Sequence, residues 1–248
     1  MTQREIRLPA VDAVVDYQLG GAYSPPAGVS EVVRDSTAST VPGLYNICYV
    51  NGYQTQPGER ETWLASRRDL LLSGPDGRPR TDPDWPDEFL LDTSAETKRR
   101  RLTDIVGQTI RGCRQSGFDA VEIDNLDSFS RSGGALTAED NLAYAAELAG
   151  VAHAAGLAVA QKNAAELGPR ARRQAGFDFA VAEECAAFQE CAAYRSAYDD
   201  RVIDIEYTDN APASFSEVCA DPATPKSTIL RDRRLVPAGD PSYTYRHC

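Results

Sequence analysis

The chain has few histidines, no long apolar run and no basic excess, and each shortage removes a class of function. Its two histidines, His153 and His247, stand in no ligand spacing, and no C-x-x-C pair accompanies them. A zinc centre needs such a set of N and S ligands, so no metal site is expected. No apolar stretch approaches the ~20 residues of a membrane-spanning helix. Lys and Arg number 26 against 37 Asp and Glu, for a net charge of −11. That surface repels nucleic-acid phosphates and suits a cationic partner, although such a charge also serves solubility alone. G-x-S-x-G, P-loop and G-x-G-x-x-G motifs are all missing, which argues against a serine hydrolase elbow, a nucleotide site and an organic cofactor. The first ten residues, MTQREIRLPA, contain no apolar signal core.

What is present is a chain of 248 residues, 42% apolar and 25% charged, as in ordinary globular proteins. One domain over residues 1–248, monomeric, is the expectation. Six cysteines, an even number without zinc spacing, read as disulfides in a secreted protein, whose leader would lie outside this sequence. The competing reading is six buried thiols in a cytosolic enzyme. Six cysteines allow 15 pairings. The working assignment is Cys48–Cys113, Cys185–Cys191 and Cys219–Cys248.

Short β-rich runs alternate with helical stretches. The strand candidates are residues 14–19, 29–34, 44–51, 89–92, 120–125, 157–163, 177–183, 202–207 and 228–231. Several are near-continuous apolar runs, the pattern of parallel strands covered by helices. Residues 137–155 read as a helix capped by Thr137, with Glu139 and Asp140 in its first turn and Gly156 as its stop. Residues 95–115 read similarly. The alternation predicts a doubly wound sheet or a (β/α)₈ TIM barrel, with the barrel preferred. Nine candidates exceed a barrel's eight, so one early candidate is read as a hairpin or an extra edge strand. Residues 55–86, rich in Pro, Gly and charge, read as a long connection on the functional face.

Active sites of parallel α/β folds lie at the carboxyl ends of the strands. Here those ends carry Asn51, Asp92, Asp124 with Asn125, Lys162 with Asn163, Glu183 with Glu184, Glu206, and Asp232. In VEIDN, alternation puts Glu122 and Asp124 on one face, with Asp124 nearer the rim. For Glu122 the favoured reading is a structural ion pair, with Lys162 as a candidate partner. Alternation alone does not choose between Glu183 and Glu184. Two carboxylates on one rim suit glycoside hydrolysis, in which one acid protonates the leaving oxygen and the other attacks or activates water. Tyr17, Tyr49, Tyr53, Trp85, Phe129 and Tyr207 are candidate platforms for sugar rings. A Schiff-base role for Lys162 is the weaker alternative, because the surrounding acids favour a charged amine.

The segments DYQLGGAY, NICYVNGYQTQ, WPDEFLLDT, GFDAVEIDNLDSF, LTAEDNLAYAAELAGVAHAAGLAVAQKN, FDFAVAEECAAFQEC, VIDIEYTD and ILRDRRLVPAG, in this order, resemble glycoside hydrolase family 114, with DNLD, the QKN strand end, EEC and IEY the specific ones. That family comprises the endo-α-1,4-polygalactosaminidases and their spherulin-4-like relatives. The resemblance implies a TIM barrel that cleaves α-1,4-linked galactosamine polymers, a cationic polysaccharide. It places the catalytic pair on Asp124, in DNLD, and on Glu183, before the x-C of EEC. It adds the lysine and asparagine at Lys162 and Asn163 and the late E-Y at Glu206 and Tyr207; together with the aromatic and strand-end residues Tyr17, Tyr49, Asn51 and Asn125, these are the expected substrate contacts. Two positions depart from the pattern, Ala182 in place of Asn and Ala164 in place of an acid, and both are expected to loosen contacts with substrate. A non-catalytic glycan-binding or wall-associated barrel, and a glycosidase for another α-linked sugar, are the alternatives. The apolar approach to Glu183 leads us to expect it as the general acid, with Asp124 as base or nucleophile.

Overall fold

In the computed structural model, residues 6–212 and 214–248 are described. In chain order the elements are β1 (Val15–Gln18), β2 (Glu31–Asp35), β3 (Tyr45–Asn51), α1 (Arg60–Ser66), α2 (Glu96–Gln115), β4 (Ala120–Asp124), α3 (Ser128–Arg131) and α4 (Ala138–Ala155). There follow β5 (Ala158–Lys162), α5 (Gly168–Ala175), β6 (Phe179–Glu183), α6 (Cys191–Tyr198), β7 (Val202–Tyr207), α7 (Phe215–Ala220), β8 (Ser227–Arg231) and β9 (Tyr245–His247). Strands β1 to β8 pair in sequence order, all parallel, and β9 adds antiparallel to β8. The result is a nearly closed TIM barrel with one seam between β1 and β8.

Side-chain alternation separates two apolar layers. Val15, Tyr17, Val33, Ile47, Ala160, Val181 and Ile205 fill the barrel. Val121, Ile123, Val159, Ala180 and Ala182 face outward and pack under Ile110, Leu148 and Ala171 of the helices. Helix α4 starts as the sequence predicts: Thr137 and Asp140 form a reciprocal capping box, and Gly156 closes the helix in the left-handed region. Leu148 is fully buried in the outer layer, and its replacement by alanine would cost roughly 2–5 kcal/mol. Among the described residues no helix is long and apolar enough to cross a membrane.

Eight of the nine strand candidates are β1 to β8, to within two residues at each end. The ninth, 89–92, is the early extra strand. It makes only isolated antiparallel bridges, Gln54 with Leu90, Leu71 with Leu91 and Thr81 with Phe89, in the long connection after β3. The C-terminal strand β9 was not foreseen, because three residues of mixed polarity give no periodic signal. Among the described residues no helix follows β1 or β2, so the outer layer begins only after β3.

The seam is closed by side chains. Arg231, fully buried, pairs with buried Asp16 at 3.2 Å and donates to the carbonyls of Tyr17, Thr244 and Val236. Removing one partner of such a pair costs about 3–5 kcal/mol. The hydroxyl of Tyr245 donates to Val15 O at 2.9 Å, and the Cys219–Cys248 bond ties the end of the chain to α7. A Cβ at Gly20 would meet Leu235 O at 2.4 Å, so only glycine lets the loops after β1 and β8 touch. The other two disulfides are Cys48–Cys113 and Cys185–Cys191, so all three match the working assignment.

Candidate active site

The carboxyl ends of the strands open into a cleft of about 1110 Å³, walled on one side by the 55–86 connection. At its floor lies Lys162 at the end of β5, 2% exposed. Its amine stands 3.0 Å from Glu122 Oε1, 3.7 Å from Asp124 Oδ1 and 3.3 Å from Glu183 Oε2, and donates to the Tyr17 hydroxyl at 3.1 Å. By the triangle inequality the 3.7 and 3.3 Å contacts hold those Asp124 and Glu183 oxygens within 7.0 Å of each other. Carboxyl pairs of glycosidases stand roughly 5–9.5 Å apart. Burial opposes the charge on Lys162, yet Asp124, Glu122 and Glu183 prevail and hold its amine protonated. A Schiff base needs a neutral amine, so that alternative fails.

Asp124 is held from two sides: Tyr49 donates its hydroxyl at 2.7 Å and the Asn125 backbone N–H donates at 2.8 Å. Close contact of β3 with β4 positions it, since Gly52 N–H donates to Asp124 O and a Cβ at Gly52 would strike Ile123 at 2.4 Å. Glu183 accepts from the Tyr207 hydroxyl and from Asn163 Nδ2 at 3.1 Å, while Asn163 Oδ1 takes the Glu183 backbone N–H at 2.9 Å. Burial pushes the Glu183 carboxyl up, but Lys162, Tyr207 and Asn163 together bring it below its ordinary value. The apolar approach along β6 therefore does not make Glu183 neutral in the free protein, contrary to the sequence-based expectation, because three donors meet it at the rim. Glu122 is buried at the barrel axis and pushed up, mainly by burial. It is the structural partner of Lys162.

Immediately after β4, β5 and β6 the chain enters the left-handed region at Asn125, at Asn163 with Ala164, and at Glu184, with φ of 68°, 51°, 61° and 64°. Asn tolerates this conformation; Ala and Glu hold it only when surrounding contacts enforce it. The turn sends Glu184 away from Glu183, into Arg233 at 2.8 Å and Asn210 at 2.9 Å. That choice was left open by alternation.

The other predicted positions divide. Tyr49, Asn125, Lys162, Asn163 and Tyr207 line the cleft with the acid pair. Tyr17 is fully buried beneath it and holds Glu122 at 2.7 Å. Asn51 bridges Asn125 and Glu88 instead of lining the cleft. Glu206 is a correction: it leaves β7 on the outward face, fully buried, and accepts the Ala186 N–H at 2.7 Å. Asp92 and Asp232 are also turn and cap groups, bonded to Ser94 and Val236 N–H. Of the predicted platforms, Tyr49, Trp85 and Tyr207 line the cleft. Tyr53 lies in the outer layer and Phe129 packs against it. Ala182 lies in the outer layer too, so its departure from the family pattern does not touch the cleft wall, whereas Ala164 does. Sequence reasoning missed Glu88, Phe188 and Arg233, on loops, and Arg131, which ends the four-residue α3; neither setting has a periodicity that marks a facing direction.

Residues 2–248 match the profile of glycoside-hydrolase family GH114. The chain belongs to that family. It is therefore a glycoside hydrolase, and the resemblance read from DNLD, QKN, EEC and IEY is upheld. No curated sequence matches it at a significant level. Among solved structures, the GH114 chain is similar to Aspergillus fumigatus Ega3 in complex with galactosamine, with TM-score 0.76, 22% identity and 98% of each chain covered. It is similar to the glycoside hydrolase domain of PelA from Pseudomonas aeruginosa, with TM-score 0.62, 16% identity and 90% and 96% coverage of this chain and that one. An α-amylase from Lactobacillus plantarum shares the fold at TM-score 0.53 and 10% identity, with 84% and 67% covered. At these identities the likeness shows the barrel alone.

Proposed function

We propose that this GH114 chain is a secreted, single-domain, endo-acting hydrolase of an α-1,4-linked, galactosamine-containing polysaccharide, with Asp124 and Glu183 as its two working carboxylates. The observation that carries the reading is the convergence of both acids on one buried lysine at the floor of an open cleft. Ten acidic side chains line that cleft against four basic ones, the balance that a cationic chain of amino sugars requires. Ega3, the similar barrel solved with galactosamine, supports the same substrate class. Three disulfides support an oxidising compartment.

Each acid meets one donor that cannot accept, the Asn125 N–H on Asp124 and Asn163 Nδ2 on Glu183, and one tyrosine hydroxyl that can turn from donor to acceptor, Tyr49 and Tyr207. Hydrogen bonding thus lets either acid carry a proton. Glu183, which follows the apolar run of β6, is assigned as the acid that protonates the leaving oxygen once saccharide covers it, and Asp124 as base or nucleophile. Lys162 stays ion-paired and fixes both groups.

The test is reducing-end release from a galactosamine polymer by the wild type, Asp124→Asn and Glu183→Gln. Cutting by the wild type and not by either variant is expected. A wild type that binds the polymer and never cuts it would sink the reading.

A further inference from the structure

The cleft wall carries a feature that the catalytic pair does not use. Among the described residues, the two exposed large aromatic side chains are Trp85 and Phe188, 63% and 59% exposed, and both line the cleft. Trp85 lies on the connection after β3 and Phe188 on the connection after β6, so they flank Asp124 and Glu183. A flat apolar face held in water beside polar groups fits the C–H face of a sugar ring.

Glu88 accompanies Trp85. Its backbone N–H donates to Trp85 O at 2.9 Å, which closes the 85–88 turn, and its side chain lines the same cleft. Glu88 Oε2 accepts from Asn51 Nδ2 at 2.9 Å, and Asn51 is itself fixed by Asn125 beside Asp124. Nearby Asp82 and Asp127 are occupied by Arg131, and Asp124 and Glu183 by Lys162. Glu88 has no Lys, Arg or His partner among the described residues. Burial first, then the charges of Asp124 and Asp82, push its carboxyl up to about 7 despite the Asn51 bond. It is a half-buried carboxyl that lacks a counter-charge, one turn away from an exposed indole.

We infer that the 85–88 turn is a subsite for one amino sugar of the substrate, with Trp85 beneath the ring and Glu88 paired to its ammonium, so that Glu88 distinguishes the free amine from its N-acetyl form. This rests on the galactosamine reading above. A primary ammonium supplies the charge that Glu88 lacks. An N-acetyl group supplies none and places a methyl against a carboxylate.

The experiment compares α-1,4-galactosamine oligosaccharides with their N-acetylated counterparts on the wild type, Glu88→Gln and Trp85→Ala. It reads kcat and KM separately, and binding by titration calorimetry. Glu88→Gln keeps an acceptor for Asn51, and Trp85 is exposed, so both variants are expected to fold, as thermal melting will check. Glu88→Gln should raise KM and Kd for the amine form roughly ten- to hundredfold, the size of a hydrogen bond to a charged group. Its kcat should change far less, and the preference for amine over acetyl should collapse. Trp85→Ala should weaken both forms alike. Glu88→Gln with an intact preference overturns the subsite while cleavage by the wild type upholds the substrate reading. A wild type that binds the amine form without cutting it, and loses binding in Glu88→Gln, overturns the substrate reading and upholds the subsite. A wild type that neither binds nor cuts overturns both.

Discussion

Asp124 and Glu183 point into the barrel, whereas Asp204 and Glu206, on β7, point out of it. The inner pair meets Lys162, whose amine stands between the two carboxyl groups. The outer pair is fully buried and meets no cation among the described residues. Asp204 accepts the Cys185 N–H at 3.0 Å and the Thr228 hydroxyl at 3.3 Å, and Glu206 accepts the Ala186 N–H. Burial, with the Glu206 charge, pushes Asp204 well above the usual carboxylate range, and burial raises Glu206. One pair shares a cation; in the other, burial favours the protonated form. The outer pair thereby anchors the loop after Glu183, beneath the Cys185–Cys191 bond. The same residue types, within one barrel, serve chemistry or architecture according to strand parity and the presence of a counter-ion.

The largest effect should separate the pairs by activity. Asp124→Asn and Glu183→Gln should each lower kcat by roughly 10²–10⁴-fold, with polymer binding retained. Asp204→Asn should cost less than about tenfold, through loop placement alone. Equal losses for Asp204→Asn and Glu183→Gln in reducing-end assays would erase the distinction.

Next is Lys162→Met, which leaves the inner carboxylates without their cation. Breaking a buried pair in this way costs about 3–5 kcal/mol, readable by urea unfolding. The sign with pH follows. Without the amine, only Tyr207 and Asn163 oppose the burial of Glu183, and its folded pKa should rise. The variant is then closest to wild-type stability in acid and falls behind as pH increases. A deficit constant from about pH 5 to about pH 8 would show that the lysine acts by packing, not charge.

The outer pair should show its own pH signature. Folded-state values above the unfolded ones mean that the native protein binds the extra proton. Its contribution to stability is complete in acid and is lost as pH rises through the raised values. Glu206→Gln removes one titrating member and keeps an acceptor for Ala186 N–H, so its unfolding midpoint should decline less than the wild type's on the alkaline side. A parallel decline would place the titration elsewhere.

These contrasts explain what the sequence made legible. β1 to β8 were visible because buried parallel strands are apolar on both faces and bounded by turn residues. The pair Asp124 and Glu183 was visible as acids at strand ends, but Glu206 ends a strand in the same manner. Whether a strand-end side chain faces the axis depends on where the apolar alternation is anchored, and VIDIEY, buried throughout, leaves both parities open. Glu88 and Phe188 lie on loops, where facing direction comes from contacts distant in sequence, such as Asn51 with Glu88. The family resemblance chose Glu183 over Glu184 where parity was silent, and Glu183 is the one that faces Lys162 across the cleft, yet the resemblance also assigned Glu206 to substrate, which the outward face contradicts.

The smallest effect offers the sharpest test, because Glu206 and Tyr207 are adjacent and face opposite sides of β7. Tyr207→Phe removes one hydroxyl donor from Glu183 and should raise that carboxyl. If Glu183 is the general acid, its value in the free enzyme governs the alkaline limb of kcat/KM. The three donors that lower it imply an optimum on the acidic side of neutral. Tyr207→Phe should then shift the alkaline limb upward and leave the acidic limb in place, while Glu206→Gln, one residue away, moves neither. Should Tyr207→Phe move the acidic limb instead, Glu183 is the base or nucleophile and Asp124 the acid, and the two roles must be exchanged.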